Sequence, residues 1–329
     1  MSENLLLSLN ESQKIAAQHI DGPLLILAGA GSGKTKTITT RLAYLISIGI
    51  DPRSILTLTF TNKAATEMRE RAFNMIDSSM INTPPLLCTF HKFGLLFLKF
   101  HMSELNRKNN FIIIDTDDKK RIIKSLEKEI TTSLIVAEIS KYKNSLLTPS
   151  EAKKAAQLKL YQQIAEIYEQ YETYLEKNNL VDFDDLLLLP YKILSKNEKL
   201  AQEISQKYQY VMVDEYQDTN ELQYRLLRLL CSNHNNLCVV GDDDQSIYGW
   251  RGATIKNILN FSEHFENTIV VKLEENYRST DTILNHANQL IEHNRDRLGK
   301  KLIGTRQKGD SIRIYESQDE NEETRKIIE

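Results

Sequence analysis

The sequence predicts an α/β protein, in which helices cover both faces of a parallel sheet and a helical insertion interrupts the sheet. Short apolar or β-branched runs recur along the chain, and several lead directly into a helical pattern. A glycine-rich turn separates the first of these runs from the helix that follows it. All 12 glycines lie at or before Gly94, or at or after Gly241, so a long central stretch has none.

The apolar runs are the expected strands. Buried parallel strands joined by crossover helices produce nearly continuous apolar segments of this kind. The six runs are Leu24–Ala28, Ile55–Phe60, Leu86–Phe90, Tyr210–Asp214, Leu237–Val240 and Ile269–Lys272. Towards the end of the sequence, Ile312–Tyr315 is predicted as a further strand and Asp319–Glu329 as the start of a charged helix.

The glycine-free stretch is the expected helical insertion. It is rich in Lys, Glu, Leu, Gln and Ile, which favour helices. Within it, the segment Ala152–Leu175 has apolar residues at helical spacing, a pattern typical of core packing. The residues on that side are Leu158, Tyr161, Ile164, Ala165 and Tyr168.

Composition excludes several classes of protein. No apolar stretch approaches the length of a membrane span, and no signal-peptide pattern opens the sequence. The three cysteines are odd in number and not at metal-binding spacing, which predicts reduced thiols in a cytoplasmic protein. The net charge of -3 does not indicate a nucleic-acid binder, but a local groove of basic and aromatic groups would suffice for one.

The first predicted strand runs into the sequence AGAGSGKT, which a helical pattern follows. A glycine-rich turn between strand and helix lets backbone N–H groups surround phosphate oxygens, as in a P-loop. Lys34 would reach the outer phosphates and the Thr35 hydroxyl would ligate Mg²⁺. The alternative is a turn without a ligand. The predicted phosphate-binding residues are Ala28, Gly29, Ala30, Gly31, Ser32, Gly33, Lys34 and Thr35.

An acidic pair follows the predicted strand Tyr210–Asp214, in the sequence VDEYQD. Asp214 at the strand tip can hold Mg²⁺ through water, and Glu215 can act as the general base for an attacking water. Two solvated carboxylates at a strand end are the alternative interpretation.

Taken together, these motifs resemble those of superfamily 1 DNA helicases, most closely the Rep/UvrD/PcrA group and within it Rep. Their order along the chain is that of the family. The matching strings are LNESQKIAA (Leu9–Ala17), AGAGSGKT (Ala28–Thr35), TFTNKAATEMRERA (Thr59–Ala72), TFHKFG (Thr89–Gly94), DFDDLL (Asp182–Leu187), VDEYQDTN (Val213–Asn220), VGDDDQSIYGWRGA (Val240–Ala253) and LEENYRS (Leu273–Ser279).

The resemblance implies that ATP is the nucleotide. Gln13 would read adenine through its amide, which both donates and accepts hydrogen bonds, and Tyr277 would stack on the adenine ring. Lys36 stands where close relatives usually carry an arginine near the base, and lysine lacks the planar fork of arginine. A glutamine on a helix face and a core tyrosine are the alternatives for the first two.

Three more residues take roles at the γ-phosphate by resemblance. Gln245 would sense this phosphate and report it to the DNA groove. Arg251 and Arg278 would neutralise charge that develops on it, with Arg278 acting as an arginine finger. A surface salt bridge is the alternative for either arginine.

The resemblance also implies a track for single-stranded DNA. Aromatic side chains would stack on bases, which is tolerant of sequence because every base has a π-face. A core position is the alternative for Phe60, and a structural histidine for His91. Lys63 and Arg69–Arg71 could equally form a solvated helix face. The implied DNA-binding residues are Phe60, Asn62, Thr89, His91, Tyr248, Trp250 and Arg251.

The implied activity is ATP-dependent helicase action, with Mg²⁺ as cofactor and 3′ to 5′ movement along single-stranded DNA. DNA junctions are further expected partners, membranes are not, and the chain is expected to be a monomer. We expect a RecA-like lobe at 1–91 and 191–274, the insertion at 92–190, and the first part of a second lobe at 275–329. Such a fragment should have weak ATPase and no unwinding activity. The alternatives are the motor lobe of a nuclease-linked repair helicase, or a non-catalytic module that binds ATP and single-stranded DNA.

Overall fold

The fold is given by a computed structural model, which describes residues 2–76 and 83–328. The strands are β1 (Leu24–Ala28), β2 (Ile55–Thr59), β3 (Leu86–Thr89), β4 (Ile112–Ile113), β5 (Leu180–Val181), β6 (Tyr210–Val213), β7 (Leu237–Gly241), β8 (Ile269–Leu273), β9 (Glu275–Asn276) and β10 (Ile303–Gly304). The α-helices are α1 (Ser2–Leu6), α2 (Glu11–Gln18), α3 (Lys34–Ser47), α4 (Asn62–Phe73), α5 (Phe90–His101), α6 (Thr116–Leu126), α7 (Thr132–Asn144), α8 (Pro149–Ala155), α9 (Lys159–Lys177), α10 (Asp185–Lys196), α11 (Glu198–Lys207), α12 (Glu221–Leu230), α13 (Lys256–Leu259), α14 (Phe261–His264), α15 (Asp281–Ile291) and α16 (Glu320–Ile328).

The central sheet has the strand order β3-β2-β6-β7-β1-β8, and every pair in it is parallel. The carboxyl ends of all six strands therefore meet at one edge, where ligands of open α/β sheets bind. The glycine-rich loop leaves β1 there, Asp214 leaves β6 and Asp242 leaves β7. The predicted α/β class with a parallel sheet is confirmed.

Alternation along β1 divides the core between the two faces of the sheet. Successive side chains of a strand point to opposite faces. Leu25 and Leu27 pack in a cluster with α5, α10, α11 and α12. Leu24 and Ile26 pack in a second cluster with α3 and α4. Apolar side chains on both faces explain why the strand reads as an unbroken apolar run.

The helical insertion has a hydrophobic core of its own, built from α6, α7, α8 and α9. At its base, β4 pairs in parallel with β5. The flanking helices α5 and α10 pack with the sheet instead, through residues such as Phe93 and Leu187. The limits 92–190 for the insertion come from the sequence, and they remain a prediction, because the helices at both ends pack with the sheet.

The segment Ala152–Leu175 forms two helices, where the sequence pattern suggested one. The chain is extended at Ala156, which ends α8, and at Leu158, which precedes α9. Folding back lets Ala152 pack against α9 in the insertion core, and Leu158 is 62% exposed. The assignment of Leu158 to the core was wrong, because contacts between the two helices override the local periodicity.

The predicted strand Ile312–Tyr315 is not formed. A strand needs a neighbour to accept its backbone hydrogen bonds, and none of the described strands pairs with this segment. The alternating apolar residues are exposed, with Ile314 at 93%.

Among residues 2–76 and 83–328, no helix has the length and apolarity required to cross a membrane.

Candidate nucleotide and nucleic-acid sites

The glycine-rich loop between β1 and α3 adopts a conformation that requires glycine at two positions. Gly31 and Gly33 have φ angles of 79° and 87°, in the left-handed region that side chains disfavour. At Gly33, a Cβ atom would lie 2.5 Å from the Nε2 atom of Gln13. The loop therefore curves tightly at the end of β1, and the N-terminus of α3 opens at Lys34. This is the geometry that binds phosphate in a P-loop.

Gln13 braces the loop from α2. Its Nε2 donates to the Ser32 carbonyl oxygen at 2.9 Å, and its Oε1 accepts from the Asn10 backbone N–H at 3.1 Å. The Ser32 hydroxyl in turn donates to the Gly29 carbonyl at 2.8 Å. A glutamine amide has two donor hydrogens and two acceptor lone pairs. The buried Gln13 side chain therefore uses one donor and one acceptor within the described part of the chain.

Lys34 and Glu215 are in direct contact across the site. Their Nζ and Oε2 atoms lie 3.1 Å apart, and the side chain of Gln217 donates to the same Glu215 oxygen at 2.9 Å. Glu215 has a φ angle of 53°, an uncommon left-handed conformation for a residue with a side chain. Backbone strain of this kind concentrates at functional sites. The acidic pair thus lies beside the glycine-rich loop.

Asp214 is a buried carboxylate suited to a cation. Its Oδ1 atom has no hydrogen-bond partner among the described residues. Burial, together with the negative charge of Glu215, raises the pKa of Asp214 to about 6, although Lys34 acts in the opposite direction. The pKa of Asp218 is raised to about 6 for the same reasons. Carboxylate and hydroxyl oxygens are ligands that Mg²⁺ prefers, so Asp214 and the nearby Thr35 fit this ion.

A cavity of about 630 Å³ opens over the loop. Its volume is within the range of small-molecule and cofactor sites. Of the predicted residues, Ala28, Ser32 and Asp214 are buried and do not belong to the lining. The predicted residues that line it are Gln13, Gly29, Ala30, Gly31, Gly33, Lys34, Thr35, Lys36, Glu215, Gln245, Tyr277 and Arg278.

The segment after β8 closes one side of this cavity. The Asn276 side chain donates to the Ala30 carbonyl at 2.6 Å, and the Tyr277 backbone N–H donates to the Gly31 carbonyl at 3.0 Å. The Tyr277 hydroxyl accepts a hydrogen bond from Asn10 at 2.8 Å. Residues far apart in sequence therefore build one nucleotide-sized site.

Ser8 and Arg71 also line the cavity, and sequence reasoning did not assign either to it. Ser8 accepts a hydrogen bond from Lys36 through its carbonyl oxygen. Arg71 lies in α4, and its guanidinium is 4.0 Å from Glu67 on the same helix. Ser8 lies outside the strings that match the family, and Arg71 lies within one of them (Thr59–Ala72) without an assigned role at the nucleotide. Packing of α4 against α3 brings Arg71 to the site.

A second cavity, of about 370 Å³, lies beside the acidic segment. It brings together Phe60, His91 and Tyr248 of the predicted DNA-binding residues. Phe60 also packs on Phe90, with ring centroids 5.7 Å apart, so it has both a core contact and a cavity face. The aromatic walls suit an unstacked base, while two carboxylates, Asp184 and Asp218, also line this cavity.

The other predicted DNA-binding residues lie elsewhere. Trp250 is 76% exposed and lines a neighbouring cavity of about 650 Å³ together with residues of α7. Asn62 is exposed as the first residue of α4, and Thr89 caps α5 by accepting a hydrogen bond from the Lys92 N–H at 3.2 Å. Neither is in the lining of these two cavities. The side chain of Arg251 lies outside the described part of the structure.

His91 sits at the wall of the smaller cavity, with its ring centroid 6.3 Å from that of Phe183. Burial lowers the pKa of His91 below its ordinary value, and the Asp184 carboxylate acts in the opposite direction. The imidazole is therefore neutral at pH 7 and can donate or accept a hydrogen bond. Its contribution to a DNA site would not be a positive charge.

Comparison with known proteins identifies the family. The family model for the UvrD/REP helicase N-terminal domain matches residues 9–266, and that for the UvrD-like helicase C-terminal domain matches residues 271–329. The ATP-dependent DNA helicase PcrA of Staphylococcus epidermidis is 40% identical over 334 residues, and that of Staphylococcus aureus is 41% identical over 333 residues. Each match covers 98% of this chain and 45% of the relative, so the chain spans less than half the length of these relatives. With the sheet, the glycine-rich loop and the acidic pair already in place, the match to the N-terminal family model shows that this chain belongs to the UvrD/REP helicase family.

Proposed function

We propose that this chain is the ATP- and DNA-binding motor portion of an ATP-dependent DNA helicase that moves 3′ to 5′ along single-stranded DNA. The observation that carries the proposal is the contact between Lys34 and Glu215 at 3.1 Å, at the mouth of the P-loop. Family membership and the helicase names of the relatives support it. The direction of movement rests on the resemblance alone.

In this proposal ATP occupies the cavity above the P-loop. Asp214 and Thr35 would hold Mg²⁺, which would neutralise charge on the outer phosphates. The phosphates attract the Lys34 ammonium away from Glu215. The freed Glu215 carboxylate then accepts the proton of the attacking water, as a general base does. The contact between Lys34 and Glu215 thus masks the base until the phosphates draw Lys34 away.

Around the nucleotide, Gln13 reads the adenine edge with its remaining donor and acceptor. Tyr277 stacks on the ring, and Lys36 contributes a cation near the base. At the other end, Gln245 contacts the γ-phosphate. Arg278 neutralises the charge that develops there in the transition state, and Arg251 assists it.

A short segment joins the nucleotide cavity to the DNA cavity. Glu215 lines the first, whereas Asp218 and Asn220 line the second. We propose that single-stranded DNA stacks on Phe60, Tyr248 and Trp250, with Asn62, Thr89 and His91 as polar neighbours. Because the linking segment is so short, a shift of Glu215 during hydrolysis is transmitted to the wall of the base pocket.

An ATPase assay with and without oligo-dT tests the proposal. We expect oligo-dT to stimulate ATP hydrolysis by the chain. Lys34→Ala should lose nucleotide binding, because the ammonium holds the phosphates. Glu215→Gln should keep nucleotide binding and lose hydrolysis. Full ATPase activity in Glu215→Gln would remove Glu215 as the base, and nucleotide binding without hydrolysis in the unaltered chain would favour a non-catalytic module.

A fluorescence titration tests the DNA site separately. Trp250 is the single tryptophan of the sequence, so its emission reports on its own surroundings. Oligo-dT should quench this emission, and the apparent affinity should fall as salt rises, because phosphate contacts release counterions. An unchanged emission at low salt would exclude Trp250 as a stacking platform.

Native mass spectrometry with forked and linear DNA would test binding to junctions and the monomeric state.

A further inference from the structure

Three consecutive aspartates follow β7, and a lysine from far along the chain is inserted among them. Lys300 is buried. Its Nζ atom lies 2.5 Å from Asp242 Oδ1, 2.8 Å from Asp243 Oδ1 and 2.6 Å from Asp244 Oδ2. The carboxylates are close enough together to surround a cation, and the ammonium is the cation that they hold. A single side chain therefore contacts all three carboxylates of the cluster.

Charge balance makes Lys300 central to this cluster. Of the three aspartates, Arg297 hydrogen-bonds to Asp244, at 2.9 and 2.7 Å, and it also donates to the Lys300 carbonyl at 3.1 Å. Burial acts to lower the pKa of Lys300, but the facing carboxylates outweigh it and raise the pKa above its ordinary value. Without the ammonium, Asp242 and Asp243 would be neighbouring buried carboxylates that repel each other, and this repulsion would push them apart.

Asp242 connects this cluster to the nucleotide site. Its Oδ2 accepts a hydrogen bond from the Gln245 side chain, which lines the nucleotide cavity. Its backbone N–H donates to Gln217 Oε1 at 3.0 Å. The Gln217 amide then donates to Glu215 at 2.9 Å. An unbroken chain of polar contacts thus runs from Lys300 to Glu215 and to Gln245.

The same segment of the chain also covers the phosphate loop. Two residues after Lys300, the Leu302 side chain lies over Gly29, so closely that a Cβ atom on Gly29 would be 2.7 Å from Leu302 Cδ2. Leu302 is held by a hydrogen bond from the Asn288 side chain to its carbonyl at 2.8 Å. The position of Lys300 is therefore tied to the phosphate loop on one side and to the acidic cluster on the other.

We propose that Lys300 is a positioning residue for the γ-phosphate: it fixes Asp242, and Asp242 orients Gln245 towards the nucleotide. The inference rests on the proposed ATP site and adds to it a residue that no motif marks. Loss of Lys300 should weaken binding of the triphosphate through Gln245. Binding of the diphosphate should not change, because Gln245 does not reach it.

The experiment compares binding of ATPγS and ADP, measured by displacement of a fluorescent ADP analogue. We expect Lys300→Met to weaken ATPγS by about 10- to 100-fold, the usual effect of removing a partner that orients a ligand-contacting group. ADP affinity should stay within about twofold of the unaltered chain. Lys301→Met is the matched control, since Lys301 is exposed, and it should change neither affinity. Lys300→Arg keeps the charge and should restore part of the loss.

A double-variant cycle with Gln245→Ala tests the route of the effect. If Lys300 acts through Gln245, the two substitutions together should weaken ATPγS no more than Gln245→Ala alone. Should Lys300→Met fail to fold, Asp242→Asn supplies the same comparison with unchanged side-chain volume. Additive losses, or equal losses for ATPγS and ADP, would overturn the inference. Failure of the unaltered chain to bind either nucleotide would instead refute the proposed function.

Discussion

Replacing Lys143 by methionine should destabilise the helical insertion far more than replacing an exposed lysine of the same helix. Lys143 is fully buried, and its Nζ lies 2.7 Å from Glu172, 3.1 Å from Asp182 and 2.7 Å from Asp185. Methionine matches the length of the side chain but removes the charge. Glu172 and Asp185 would then lose this cation in a buried site, and Asp182 would keep only Lys119, whose Nζ lies 3.1 Å away.

The size of the effect follows from this geometry. Removing one partner of a buried ion pair costs about 3–5 kcal/mol, because the remaining charge is left uncompensated. For an unfolding unit of about 150–250 residues, this corresponds to a fall in Tm of roughly 6–20 °C. Lys141→Met is the control. Lys141 is exposed and 3.5 Å from Glu138, and a surface pair of this kind contributes about 0–1 kcal/mol.

Asp185 makes the loss of unfolding free energy in Lys143→Met depend on pH. Burial and the neighbouring Asp182 raise the pKa of Asp185 to about 8, although Lys143 acts to lower it. An acid whose folded pKa is raised contributes stability below its unfolded pKa and loses it as the pH rises through the folded pKa. Without Lys143 that pKa rises further, so the loss of stability in Lys143→Met relative to the unaltered chain should grow as the pH rises above about 8, where Asp185 ionises in the unaltered folded chain.

Thermal and urea unfolding, followed by circular dichroism at about pH 7 and about pH 9.5, on either side of the folded pKa of Asp185, measure both effects. We expect Lys141→Met to have the same unfolding temperature and urea midpoint as the unaltered chain. Both values should be clearly lower for Lys143→Met. A Lys143→Met variant within about 1 kcal/mol of Lys141→Met at both pH values would refute the buried-charge reasoning.

Three further outcomes are expected. Phe60→Ala should weaken oligo-dT binding about 5- to 150-fold, from a stacking contribution of about 1–3 kcal/mol; unchanged fluorescence anisotropy would contradict this. His91→Gln should change oligo-dT affinity by a factor that stays constant from about pH 7.5 to pH 8.5, because burial lowers the pKa of the imidazole below its ordinary value and keeps it neutral there; a factor that changes across this range would exclude that state. Gly94→Ala should lower the free energy of unfolding by about 1–3 kcal/mol or more, because its Cβ would collide with the Leu186 carbonyl oxygen of α10; an unchanged urea midpoint would show that the two helices can separate without cost.

The outlines of the candidate nucleotide site were predictable because each of its parts is a run of neighbouring residues in the sequence. The loop from Ala28 to Thr35 and the pair Asp214 and Glu215 each follow directly from a buried strand. Parallel strands bring their carboxyl ends to one edge of a sheet, so local motifs at those ends meet there. Most of the predicted nucleotide residues accordingly line one cavity.

Periodicity by itself predicted the local structure of two segments incorrectly. The helical spacing from Ala152 to Leu175 is real, but it continues across a bend at which the chain folds back. The alternation at Ile312–Tyr315 is typical of a strand, yet a strand also needs a partner, and residues 2–76 and 83–328 provide none. Periodicity describes which face is apolar and does not say what that face meets.

The sequence by itself therefore determined the α/β class, the phosphate loop, the acidic pair and the family, since each is written in adjacent residues. Only the tertiary structure decided that Lys300 contacts the aspartates after β7, that Arg71 lines the candidate nucleotide cavity, and that Lys143 contacts three carboxylates. These depend on contacts across long stretches of chain, such as the 57 positions between Asp243 and Lys300. A charged residue has the same local signature on a solvated helix face as in a buried ion pair, and only packing removes the water that distinguishes the two.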